Sequence, residues 1–243
     1  MSQQPFRVPP VGTQGVGATS ISVENARFMS RVYGWMTAGL CLTGAVAWQV
    51  AGNPEFVRTI FGNPILFWGL FIAQLGAVMV LSGLINRISA VAATAIYVAY
   101  AALTGLTLSS IFLVYTGSSI AQVFGLTAFS FAGLSVFGLV TKRDLGPVGS
   151  FCMMGLFGLV GFYLLSMFFP SLMSGGAVFV TSIIGIIIFA GLTAYDTQTI
   201  KNMNAASMDG EQQRKGAILG ALRLYLDFIN LFLSLLRLTG RRR

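Results

Sequence analysis

Asp196 and Asp227 are the only carboxylates inside long apolar runs of this chain. An aspartate near the middle of a bilayer-spanning helix costs about 2.5–3.5 kcal/mol to insert, so such residues turn from lipid and mark sites. Two carboxylates held close cannot both ionise cheaply; they share a proton, and a neighbouring arginine favours the charged form. The pair reads as a proton sensor or a weak cation site. The alternative is an Asp–Arg lock that only holds helices together. Arg87 and Arg223 are the candidate partners: Arg87 ends the second apolar run, and Arg223 stands one turn before Asp227. Tyr195, Gln198, Tyr225 and Asn230 flank the acids as hydrogen-bonding groups. Oxygen ligands suit calcium, but a strong site takes about six to eight of them. Asp196 and Asp227 with a few amides make only a weak, transient calcium site.

These residues must be placed by helices. The run 221–240, ALRLYLDFINLFLSLLRLTG, is long enough to cross a bilayer, yet Arg223, Asp227, Asn230, Ser234 and Arg237 follow at steps of four, three, four and three. They share one helical face. Lipid around that face is hard to tolerate, so this helix is expected inside the others. Six further apolar runs lie at about 32–51, 65–85, 88–115, 120–141, 148–169 and 177–200. Asn63-Pro64 opens the second, with Pro64 near the permitted first position of a helix. Gly155, Gly158 and Gly161 in the fifth read as close helix packing. The segment 201–215 is expected as a loop, and residues 1–26 as a disordered polar tail before a transmembrane domain at 27–243.

Composition agrees. Hydrophobic residues make up 55% of the 243 and charged ones 9%, with a mean hydropathy of +0.79. A soluble domain carries about a quarter charged residues. The chain is read as an all-α polytopic membrane protein whose partner is the lipid bilayer. The net charge of +8 is assigned to topology-setting loops, not to nucleic acid. With seven spans, parity places the amino terminus and Arg87, Lys142, Arg143, Lys201, Arg214 and Lys215 on one face, and Arg58, Arg237 and Arg241 to Arg243 on the other. The larger count puts the amino terminus in the cytoplasm. No histidine is present, and Cys41 and Cys152 lack metal-ligand spacing, so no cofactor is expected. No signal peptide is read at the start, since the first apolar run begins near Val32.

AYDTQ at 194–198, LYLDFINLFLSLLRLTG at 224–240 and ALTGLTLSSIF at 102–112 resemble the Bax-inhibitor transmembrane family, its bacterial branch most of all. The resemblance runs from about Arg27 to the end. It implies seven helices, six around the last, and a pH-sensitive calcium leak of the bacterial inner membrane with a di-aspartyl sensor. Those roles fall on Asp196 and Asp227, and the family's gating arginine falls on Arg87. Some members also carry an acid in the second helix; this chain has Gln74 there. The resemblance equally admits a non-transporting regulator that binds other membrane proteins, a membrane protease among them. An intramembrane aspartyl protease would also use two acids, and Tyr195-Asp196 resembles its first motif. Its GxGD is absent, because Leu224-Tyr225-Leu226 precedes Asp227. No enzyme is expected.

Overall fold

The computed structural model describes residues 14–203 and 205–243. Part of the expected tail, residues 1–13, lies outside them. The described residues form nine α-helices: α1 (Gln14–Ala51), α2 (Pro54–Gly62), α3 (Pro64–Gly83), α4 (Ala90–Leu108), α5 (Ile111–Val114), α6 (Gly117–Val140), α7 (Gly146–Phe168), α8 (Gly175–Lys201) and α9 (Gly210–Thr239). Six stretches are long and apolar enough to cross a membrane: α3, α4 continued through α5, α6, α7, α8 and α9. The expected run at 32–51 lies within α1, which is not among the six.

Polar residues start the helices where the sequence leaves the apolar runs. Asn63 accepts from the amides of Ile65 and Leu66 ahead of Pro64, and Ser89, Thr116 and Ser174 cap α4, α6 and α8. Asp209 opens α9 with a reciprocal pair: the Gln212 amide donates to its carboxylate at 2.7 Å, and Gln212 Oε1 accepts from its backbone N–H. That pair moves the start of the last helix to Gly210, so the expected loop at 201–215 shrinks to a short connection. Two other expectations change. The run at 88–115 breaks at Ser109 and Ser110, whose hydroxyls donate to the carbonyls of Leu106 and Thr107. The segment holding Glu55 and Arg58 forms α2 instead of a loop, capped by Asn53.

α1 begins at Gln14, well before Val32. The turns at residues 24–32 bury one side. Phe28 and Val32 are buried. Gln213 Nε2 donates to Glu24, Arg31 donates to Gln213 Oε1, and the Ala205 amide donates to Asn25. This polar contact ties residues 24–31 of α1 to the α8–α9 connection, and the helix extends into the sequence read as tail.

α9 is the most buried of the six spans, at 67% of its most apolar stretch, against 6% for α3 and 11% for α7. It packs against α1, α4, α6 and α8, while α3 lies on α4 and α7 on α8. One side of α9 joins an aromatic core: the Tyr225 ring meets Tyr97 and Tyr100 edge to face, and its hydroxyl pairs with Thr43 Oγ1 at 2.7 Å. The other side, with Leu231, meets Ile188, Phe189 and Leu192 of α8. Of the three glycines at 155–161, only Gly155 has a close neighbour, Ile188; Gly158 and Gly161 face open space. The packing glycines of α7 are Gly149, against the Tyr195 ring, and Gly155.

Candidate functional site at the α8–α9 crossing

α8 and α9 run antiparallel, joined at residues 202–209, so the last turns of α8 lie beside the middle of α9. This brings Asp196 and Asp227 together. Both are buried, at 8% and 4% exposure, and their carboxyl groups are electrostatic neighbours, with no hydrogen bond formed between them among the described residues. Oδ2 of Asp227 is buried with no hydrogen-bond partner among the described residues. An ionised carboxylate left so is costly, so the oxygen is suited to a proton, a water or a cation. Arg223 Nη1 stands 4.0 Å from Asp196 Oδ1, at the outer limit of an ion pair. Arg223 is half-buried.

Arg87 is not brought to the pair. It lies exposed in the turn between α3 and α4, with no ion pair among the described residues. The flanking polar groups have other partners. Gln198 clamps the α6–α7 connection, accepting from the Leu145 amide at 2.9 Å and donating to the Arg143 carbonyl at 2.8 Å. Tyr195 turns to α7 and Tyr225 to Thr43. Asn230 donates to the Leu226 carbonyl and faces a cavity. Among the described residues no group of three or more His, Cys, Asp or Glu side chains gathers. Calcium held here as cargo would take two carboxylates and otherwise neutral oxygens.

Sequence reasoning missed Ser135. It lies on α6 between Phe131, whose ring meets Phe228, and Gly138, which abuts Ala194 and Thr197. These three share one face at helical spacing. Ser135 is therefore held between the neighbours of Asp227 and Asp196, and its hydroxyl is buried without a hydrogen-bond partner among the described residues. The available signal was a hydroxyl recurring with Thr127 along an apolar helix.

The family described as "Inhibitor of apoptosis-promoting Bax1" matches residues 25–243. The chain is 49% identical over 218 residues to "Inner membrane protein YbhL" of Escherichia coli, covering 89% of this chain and 92% of the relative. It is 44% identical over 224 residues to a Borreliella burgdorferi protein, covering 92% of this chain and 95% of the relative. A Deinococcus radiodurans protein is 43% identical over 216 residues, with 88% and 90% covered.

Proposed function

Because the chain belongs to the Bax-inhibitor family, we propose that it is a pH-sensitive cation leak of the bacterial inner membrane, with calcium as its cargo and no enzymatic activity. The observation that carries this reading is the buried Asp196–Asp227 pair, with Asp227 Oδ2 unpartnered among the described residues and Arg223 beside Asp196. Protonation and cation entry compete for the same oxygens, so acidity controls occupancy. Weak coordination lets the ion leave. The inner-membrane assignment is supported by the name of the E. coli relative.

In this reading α1 is the seventh span. Its residues past Val32 run along α4 and α9, where Thr43 donates to the Ala101 carbonyl at 2.8 Å. Six helices then surround α9: α1, α4, α6 and α8 pack against it, α7 reaches it through Tyr163 and Arg237, and α3 lies outside on α4. The amino terminus is cytoplasmic, on the face that holds Arg27, Arg31, Arg87, Lys142, Arg143, Lys201, Arg214 and Lys215.

The test is calcium flux into proteoliposomes between about pH 6 and 8, the range into which coupled carboxylates can be pushed. Asp227→Asn keeps size and one acceptor but cannot ionise. Its flux is expected to be flat with pH while expression and folding stay normal. An unaltered pH profile would make the acids structural. The non-transporting regulator would then lead, a reading that the family's description as an inhibitor favours.

A further inference from the structure

The polar face of α9 does not stop at the acids. Asn230, Ser234 and Arg237 line a cavity of about 90 Å³ between α9, α8 and α7, with Tyr163 at its rim. A water occupies roughly 30 Å³ in the liquid, and a site needs a few polar partners to hold it. Amide, hydroxyl and guanidinium supply them here. The near end of the cavity is Asn230, one turn from Asp227 on the same face. Gly185 keeps the floor narrow, since a Cβ there would overlap Ser234 Oγ.

The far end is plugged. Arg237 Nη1 donates to the Tyr163 hydroxyl, and its guanidinium lies 5.3 Å from the centroid of the same ring. Hydrogen bond and ring face hold one cation in one place. Arg223 and Arg237 stand 14 positions apart, about 21 Å along a helix. The polar file is thus bracketed by two arginines, one beside the acids and one on Tyr163.

We propose that this cavity is a water-holding chamber linking Asp227 to the carboxy-terminal face of the bundle, and that Arg237 seated on Tyr163 is its closed gate and its barrier to cations. A fixed guanidinium in a narrow chamber repels entering cations far more than in open water. Opening requires Arg237 to leave Tyr163. The gate's use in controlling flux rests on the leak reading; the chamber itself does not.

The test reads the chamber directly. In full-length protein with Cys41→Ser and Cys152→Ala, Ser234→Cys is exposed to a membrane-impermeant methanethiosulfonate reagent added on the carboxy-terminal side. Labelling is expected to be slow. Adding Arg237→Gln or the milder Tyr163→Phe should speed it about tenfold, since reaction follows the open fraction. Asn230→Cys serves as a second reporter should the thiol at 234 crowd Gly185. Equal rates with and without the gate substitutions, at both reporters, overturn the proposal. In proteoliposomes Arg237→Gln should raise calcium flux at every pH without moving the pH of half-change. Faster labelling in a protein that carries no calcium in any form would sink the leak reading and support the chamber. A normal pH-dependent leak with unchanged labelling would do the reverse.

Discussion

Arg223 stands one helical turn before Asp227 on α9, and its guanidinium reaches Asp196 on α8. It therefore meets Asp196 from the face of α9 that also carries Asp227. Arg87, placed at the same end by the order of the helices, is exposed and far less constrained. A pair at 4.0 Å with a half-exposed partner is worth little: such pairs contribute up to about 1 kcal/mol, so Arg223→Gln should raise calcium flux by no more than about fivefold. The change should be largest where Asp196 is charged and vanish where the pair is protonated. Arg87→Gln should leave the pH profile where it was. Flux measured across pH for both variants checks this, and a larger effect from Arg87 would move the lock to the α3–α4 turn. Ser135, held on α6 between neighbours of the two acids with a hydroxyl that has no hydrogen-bond partner among the described residues, is a further position to substitute, because alanine there removes that oxygen without a large change in volume.

At the scale of elements, two glycines separate packing from exposure. A Cβ on Gly138 of α6 would run into the Ala194 carbonyl of α8, a backbone atom that cannot swing aside. Gly138→Ala should therefore cost about 1–3 kcal/mol. The unfolding temperature in detergent should fall by roughly 2–4 °C for each kcal/mol. On α7, Gly158 has open space where its Cβ would stand, and Gly158→Ala should stay within about 0.5 kcal/mol of the parent. Equal losses would mean that α6 and α8 do not approach as described. The comparison also bears on function, because Ala194 and Thr197 flank Asp196 and the α6–α8 approach sets where that carboxylate sits.

For the whole molecule the decisive quantity is the number of crossings. The amino-terminal half of α1 meets the α8–α9 connection, whereas the last residues meet the start of α6: the Arg243 amide donates to the Val114 carbonyl, and the Thr116 amide to the Arg241 carbonyl. Residues 24 and 25 of α1 and the last residues of the chain thus belong to opposite ends of the bundle. Reporter fusions at each terminus in cells should report opposite sides of the membrane, with the amino terminus cytoplasmic. Both termini on one side would reduce the crossings to six and make α1 a surface helix. The basic residues argue for the first outcome by number, although Arg241, Arg242 and Arg243 stand against it. Their backbone pairing with residues 114–116 gives that tail a structural task besides its charge.

Hydropathy along the chain determined that this is a helical membrane protein, where most of its long helices lie, and that Asp196 and Asp227 are the acids to watch. The steps of four and three determined that Arg223, Asp227, Asn230, Ser234 and Arg237 share a face. All of these are local properties, set by a fixed rise and turn per residue. Tertiary structure decided the rest. It chose Arg223 over Arg87 as the neighbour of the acids, sent Gln198 to the α6–α7 connection and Tyr225 to Thr43, and added Ser135. It also lengthened α1, through contacts between residues some 180 positions apart. In a bilayer, lipid and protein neighbours are nearly equally apolar, so hydropathy fixes a residue's depth but not which helix it faces. Lateral order comes instead from close packing and a few long-range polar contacts, and no local pattern in the sequence records those.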